Sequence, residues 1–93
     1  MTARVRVLLH AMFKDIAGKR EIAQEMGPNL TLGDVLNKLA KKYGRDFNEI
    51  IDPRTGQISI DTLVMLNGKS VRQTDIKLHD EDTIMISVPI GGG

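Results

Sequence analysis

The chain has 93 residues and a mass of 10.3 kDa, and about half of its residues are apolar. A chain of this length is expected to form one small domain. Thirteen basic and twelve acidic residues give a net charge of +1, and only three residues are aromatic, which argues against nucleic acid as a partner. The absence of cysteine excludes disulfides and thiolate chemistry. Because the sequence has no long apolar run and no signal-peptide pattern, we expect a cytoplasmic protein with no membrane partner.

The first third of the chain predicts two strands. Apolar residues alternate with other residues over Ala3–His10, which indicates a strand with one buried face. The alternation stops at Ala11–Ala17, for which we expect a short turn packed at the sheet edge. A second strand, antiparallel to the first, is predicted over Arg20–Met26.

The clearest local prediction is a helix over Thr31–Tyr43. Apolar residues recur there at helical spacing, and the lysines fall on the opposite face. Thr31 is a good N-cap, and Asp34 three residues later is an acidic variant of the capping box. Gly44 supplies a left-handed stop.

The segment after this helix is less regular. Arg45–Gln57 contains a turn that contacts the core and a β-turn at Pro53–Gly56. Ile58 and Ile60 either extend the next strand or hold the loop in place. The dipeptide Asn67-Gly68 is typical of a two-residue hairpin turn, here between strands Leu63–Leu66 and Lys69–Arg72.

The last predicted strand is Thr83–Ile90, whose regular pairing ends near Pro89 because proline cannot donate a ladder hydrogen bond. The element order is therefore hairpin, helix, hairpin and final strand. This order predicts an α+β roll in which one main helix covers one face of a mixed four- or five-stranded sheet.

Three consecutive glycines, Gly91, Gly92 and Gly93, follow this apolar strand. One interpretation is a frayed tail. The other is a narrow arm, free of side chains, that presents the Gly93 carboxylate to the active site of another protein, because glycine lets enzyme walls approach the backbone closely.

These residues resemble a known family. The segments Leu78–Ile84 and Val88–Gly93 look like the closing motif of the MoaD/ThiS family of ubiquitin-like sulfur carriers. Phe13–Glu21 resembles the family's turn after the first strand, and Leu66–Gly68 resembles its central hairpin. The resemblance implies a β-grasp (ubiquitin-like) fold over residues 1–90 and a flexible glycine tail at 91–93. In this fold we expect the first and last strands to be adjacent and parallel at the centre of the sheet.

The resemblance also implies a mechanism. A ubiquitin-activating-like enzyme uses ATP to adenylate the Gly93 carboxylate, and a persulfide sulfur then replaces AMP to leave a thiocarboxylate. Gly91 and Gly92 position the chain end, and the chain itself binds no cofactor. We expect sulfur transfer in molybdenum cofactor biosynthesis, with this chain as the small subunit of molybdopterin synthase and the large subunit as its partner.

The sheet face opposite the helix is the predicted docking surface. If the alternate residues of the strands form the core, several apolar residues, two of them methionines, point outward beside the strand that leads to the glycines. The residues expected to contact partners are Leu8, His10, Leu63, Met65, Met85, Ser87 and Pro89.

No metal site is expected. His10 and His79 lack the spacing of metal ligands, and the acidic run Asp80–Asp82 lacks the spacing of a calcium loop, which favours a solvated turn.

Two alternative functions stay open at this point. The chain could be a ubiquitin-like modifier that is joined through Gly93 to lysines of target proteins. It could also be a non-catalytic β-grasp interaction module whose glycines are incidental.

Overall fold

The computed structural model describes residues 3–25 and 27–89. A short helix is present where a turn was expected, and a single 3₁₀ turn follows the main helix. The elements in chain order are β1 (Arg4–Leu9), α1 (Ala11–Ala17), β2 (Glu21–Glu25), α2 (Leu32–Tyr43), a 3₁₀ helix (Arg45–Glu49), β3 (Leu63–Leu66), β4 (Lys69–Ser70) and β5 (Thr83–Ser87).

The five strands form one mixed sheet in the order β2-β1-β5-β3-β4. The first and last strands are adjacent and parallel, as predicted, with Val7 opposite Ile84. The β1–β2, β3–β4 and β3–β5 pairs are antiparallel. The final strand therefore lies at the centre of the sheet, and β1 and β5 end at the same edge.

One face of this sheet and one face of α2 share the core. Alternation in β1 buries Val5, Val7 and Leu9 completely, and Ile84 and Ile86 of β5 are buried beside them. The helix contributes its own buried stripe to the same cluster, made of Leu32, Val35, Leu36 and Leu39. The predicted inner face of the sheet is thereby confirmed.

The predicted start of α2 is also confirmed. The Thr31 hydroxyl accepts a hydrogen bond from the Asp34 N–H at 3.2 Å, and the Asp34 carboxylate accepts one from the Thr31 N–H at 3.0 Å. This is a complete capping box. The residue that ends the helix, Gly44, has φ 63° and ψ −148°. Its φ is positive, but its ψ lies outside the left-handed helical region, so the left-handed conformation predicted for Gly44 is wrong.

The turn expected over Ala11–Ala17 is instead helix α1. Phe13 is buried and its ring meets that of Phe47 edge to face, with centroids 5.1 Å apart. Gly18 closes the helix in the left-handed conformation, and its N–H donates to the Lys14 carbonyl. A contact with a distant part of the chain therefore stabilises a helix that seven residues alone would not hold.

The second hairpin has the predicted register. Leu66 pairs with Lys69, and Asn67 and Gly68 both have positive φ, as a type I′ turn requires. Strand β4 is shorter than predicted and ends at Ser70, although the Val71 N–H still donates to the Val64 carbonyl at 3.0 Å.

The other boundaries also differ from the predictions in small ways. Strand β5 stops at Ser87, two residues before Pro89, and Ile90 lies outside the described residues, as does Met26 at the end of the second predicted strand. The chain turns where the β-turn at Pro53–Gly56 was predicted, but the turn begins one residue earlier, since the Thr55 and Gly56 N–H groups both donate to the Asp52 carbonyl. Ile58 is buried and bridges Ile51, whereas Ile60 is exposed.

Candidate functional site

The outer face of the sheet brings most of the predicted docking residues together. Leu8 of β1 stands opposite Met85 of β5, and Met85 stands opposite Met65 of β3, so the three form one row across the sheet. Leu63 pairs with Ser87 in the next row. The strand registers therefore create a continuous band of side chains on the face away from α2.

Exposure of this band is uneven. Leu8, Leu63, Met65 and Met85 are all partly buried. Ser87 is only 8% exposed, and it lies on the central strand β5 opposite Leu63 of β3. Ser87 thus belongs to the predicted face but offers a partner almost no surface.

An ion pair borders the band on the β2 side. The Arg6 guanidinium donates two hydrogen bonds to the Glu21 carboxylate, at 3.0 and 3.1 Å. The hydrogen bond from Arg6 lowers the pKa of Glu21, and the same bond raises the pKa of Arg6. Both side chains are about half exposed, so this pair orients charges at the surface and contributes little to stability.

Strand β5 is the last element before the three glycines, and it ends at the same sheet edge as β1. The His10 N–H donates to the Ile86 carbonyl at 3.0 Å, which continues the parallel pairing one residue past β1. His10 and Pro89 are exposed, and Leu63 begins β3 at this same edge. Gly91, Gly92 and Gly93, together with Ile90, lie outside the described residues.

The acidic run before β5 is structural, so the solvated turn expected there is only partly right. The Asp80 carboxylate accepts from the Arg4 N–H at 3.0 Å, and Asp82 accepts from the His79 N–H at 2.7 Å and from the Asn67 amide at 2.8 Å. The side-chain amide oxygen of Asn67, Oδ1, accepts a hydrogen bond from the Thr83 N–H. These carboxylates tie the hairpin and β1 to the start of β5.

Sequence reasoning missed a groove at the edge where β5 ends. It has a volume of about 440 Å³ and lies between α1, the 3₁₀ helix and the segment that leads into β3. Its lining is formed by Met12, Phe13, Asp46, Asn48, Glu49, Ile51, Pro53, Ser59, Asp61 and Thr62. The sequence signals for this groove were the acidic residues Asp46, Glu49 and Asp61 and the apolar Ile60 beside Asp61. No local pattern indicated that the segment carrying them lies against α1.

Residues 3–25 and 27–89 contain neither a metal-binding cluster nor a membrane-spanning helix. Within these ranges no three His, Asp or Glu side chains are close enough together to hold a metal ion. No helix among the described residues has the length and apolar character needed to cross a membrane.

The element order, the parallel central pair and the single long helix define a β-grasp, ubiquitin-like fold, as expected. The ThiS family model matches residues 7–93, and the chain belongs to this family. It is therefore a member of a family of ubiquitin-like sulfur carriers and protein modifiers.

Three similar proteins illustrate the range of this family. Small archaeal modifier protein 3 of Haloferax volcanii is 28% identical over 86 residues, which cover 89% of this chain and 91% of the relative. The solution structure of the Haloferax volcanii protein HVO 2177 is 25% identical with a TM-score of 0.81, and covers 99% of this chain and 88% of its own. A Pyrococcus furiosus protein proposed to be molybdopterin converting factor subunit 1 shares the fold, with 24% identity, a TM-score of 0.73, and coverage of 95% of this chain and 99% of its own.

Proposed function

We propose that this chain is a sulfur carrier whose Gly93 carboxylate is adenylated and then converted to a thiocarboxylate. The observation that supports this most directly is the match of the ThiS family model, which runs through residue 93 and so includes all three glycines. The chain has no cysteine, so sulfur carried on Gly93 meets no competing thiol of the same molecule.

The chemistry requires activation because a carboxylate near neutral pH is an anion and a poor electrophile. In the proposed reaction a Gly93 carboxylate oxygen attacks the α-phosphorus of ATP on the activating enzyme, and pyrophosphate leaves. The terminal sulfur of a partner's persulfide then attacks the acyl carbon and AMP leaves, giving an acyl disulfide. A second thiol breaks the sulfur–sulfur bond, which releases the thiocarboxylate and leaves a disulfide on the sulfur donor.

In this proposal the domain presents Gly93 to the activating enzyme and supplies no acid, base or metal. Gly93 is six positions after Ser87, the last residue of β5, and six residues reach at most about 22 Å. In this proposal the enzyme therefore takes up Gly93 within about 22 Å of the edge where β5 ends. Gly91 and Gly92 are proposed as positioning residues, because a channel sized for glycine admits no side chain.

We propose molybdopterin formation as the destination of the sulfur, with this chain as the small subunit of the synthase. The support is the resemblance of Val88-Pro89-Ile90 and the following glycines to the end of the molybdopterin branch of the family. The large subunit and the adenylating enzyme would both cover the outer sheet face around Leu8 and Met85, since it lies beside the end of β5.

Protein modification is the second candidate, and the curated relative favours it. That protein is a small archaeal modifier, and it is similar over nearly the whole length of both chains. In this alternative the activated Gly93 acyl group forms an isopeptide bond with a lysine Nζ of a target. Both functions need the same adenylation.

Intact mass spectrometry tests the sulfur-carrier proposal. After incubation with the cognate activating enzyme, ATP and a sulfur donor, the wild type is expected to gain about 16 Da, because sulfur replaces one carboxylate oxygen. One added residue after Gly93, or Gly92→Val, is expected to abolish this gain without changing thermal stability. A residue added before Met1 is the matched control and leaves the gain intact. A wild type that never gains this mass, or a Gly92→Val variant that gains it normally, refutes the proposal.

A second experiment separates the two destinations of the activated chain. The tagged protein is expressed in its native cell, and denatured lysate is searched by mass spectrometry for peptides in which lysine Nζ is joined to the Gly93 carbonyl. Such conjugates, absent from a variant lacking Gly92 and Gly93, support the modifier. Co-purification of a molybdopterin synthase large subunit without conjugates supports the sulfur carrier.

A further inference from the structure

The groove beside α1 is a concave surface of about 440 Å³. Its apolar wall includes Met12 and Phe13 of α1 together with Ile51 and Pro53. The Phe13 ring is buried against Phe47, so this wall is held in place by the core. The α1 side of the groove is therefore preformed.

Exposed apolar side chains are concentrated at this groove. Among the described residues the two large apolar side chains that are exposed are Met12, at 40%, and Ile60, at 73%. Met12 lines the groove, and Ile60 lies between Ser59 and Asp61, which both line it. One exposed apolar side chain therefore lines the groove, and a second is carried by the segment that forms its wall, which is typical of a surface that a partner covers.

The rim of the groove carries negative charge. Asp46, Glu49 and Asp61 contribute to the lining, which includes no Lys, Arg or His. The ion pairs found within the described ranges involve other residues, so these three carboxylates are not neutralised by a close cation there. The groove therefore complements a positively charged side chain with apolar neighbours.

The groove also has a defined position relative to the reactive end of the chain. Thr62 lines it and directly precedes Leu63, which pairs with Ser87 at the end of β5. Helix α1, on the other side of the groove, packs against β5. An enzyme that takes up Gly93 works within about 22 Å of this edge, so the groove falls within its reach.

We propose that this groove binds a segment of the activating enzyme that presents a basic side chain beside an apolar one. The inference rests on the proposed function, since it assigns a second contact to the enzyme that adenylates Gly93. The basic side chain pairs with Glu49 and Asp61, and the apolar neighbour packs against Met12 and Ile60. A second copy of this chain is a poorer occupant because it would cover the edge from which Gly93 is taken up.

Steady-state kinetics of thiocarboxylate formation test the proposal. The double variant Glu49→Lys/Asp61→Lys is compared with Glu25→Lys/Glu81→Lys, which makes the same change of charge at exposed positions beside the start of β1. We expect the groove variant to raise KM for this chain by about tenfold, with kcat changed by less than about twofold, because docking is lost and the chemistry is not. The control variant is expected to leave both constants near their wild-type values.

Two further measurements sharpen the test. Raising the NaCl concentration is expected to increase the wild-type KM and to affect the groove variant less, because the attraction between opposite charges is screened by salt. Ile60→Ser, a change at an exposed position, is expected to raise KM by about threefold, since an apolar contact at an interface is lost. Circular dichroism melting curves establish that each variant is folded.

The outcomes distinguish this proposal from the function on which it rests. If the wild type is thiocarboxylated and the groove variant keeps the wild-type KM, the docking proposal is overturned and the sulfur carrier stands. If the wild type is never thiocarboxylated, both fall. If sedimentation shows a wild-type dimer that Glu49→Lys/Asp61→Lys dissociates, a second copy occupies the groove and the proposal is wrong.

Discussion

Replacing Leu36 with alanine measures how much the packing of α2 on the sheet contributes to stability. Leu36 lies in the middle of the buried stripe of the helix and is only 1% exposed. The change removes three buried carbon groups, worth about 2.4 kcal/mol at about 0.8 kcal/mol each. A cavity that does not fully collapse adds to this loss, so we expect the free energy of unfolding to fall by about 3 kcal/mol, within the usual range of about 2–5 kcal/mol.

Urea unfolding followed by circular dichroism is the appropriate assay. A chain of 93 residues is expected to have a free energy of unfolding of about 5–14 kcal/mol, so the variant stays folded in water. With an m-value of about 1–3 kcal/mol per molar urea, the midpoint is expected to fall by about 1–3 M. Lys41→Ala, at an exposed position of the same helix, is the matched control and should change stability by less than about 0.5 kcal/mol.

Two results would contradict this reasoning. A loss below about 1 kcal/mol for Leu36→Ala with an unchanged m-value would mean that the helix face is packed less tightly than its burial indicates. An equal loss for Lys41→Ala, which raises helix propensity at an exposed position, would mean that the loss in Leu36→Ala does not measure packing on the sheet. Either result would also weaken the assignment of the opposite sheet face as the one left for partners.

Two local features give further predictions. The hydrogen bond from the Thr31 N–H lowers the pKa of Asp34, so its carboxylate stabilises the fold above the ordinary carboxyl pKa, and this contribution is lost as pH falls through the lowered folded value. The difference in melting temperature between wild type and Asp34→Ala should therefore narrow between about pH 6 and about pH 2, and a constant difference would contradict the capping role. Gly33→Ala should destabilise the protein in urea, although alanine favours helices by about 1 kcal/mol, because its Cβ would lie 3.0 Å from the Thr74 carbonyl oxygen. Gly27→Ala, whose Cβ meets nothing within 4 Å, should be nearly neutral, and a Gly33→Ala variant more stable than wild type would refute the close contact.

The parts of the fold that the sequence predicted correctly depend on neighbouring residues. The capping box needs only Thr31 and Asp34, and the hairpin turn needs only Asn67 and Gly68. Strand alternation is equally local, and it correctly separated the buried face of β1 from its outer face. Given these elements, few topologies remain that bury one helix on one sheet, which is why the parallel central pair could be expected.

The parts that the sequence did not predict depend on contacts between distant segments. Helix α1 is too short to be stable alone, and its ring contact joins Phe13 to Phe47, far along the chain. The same packing brings Met12 close to Asp61 and creates the groove. The pattern of the strand also did not predict the burial of Ser87, which it placed on the open face.

The two candidate docking surfaces complement each other at the edge where β5 ends. Leu8, Met65 and Met85 are already partly buried, so the outer sheet face alone offers an enzyme limited apolar area. Met12 and Ile60 are more exposed, and the groove beside them reaches the same edge through Thr62. An enzyme that covers both surfaces holds the domain from two sides of the point where the chain leaves the sheet. Binding through the domain can then be separated from chemistry at the chain end, which is why surface changes should raise KM whereas changes at Gly92 should abolish the product.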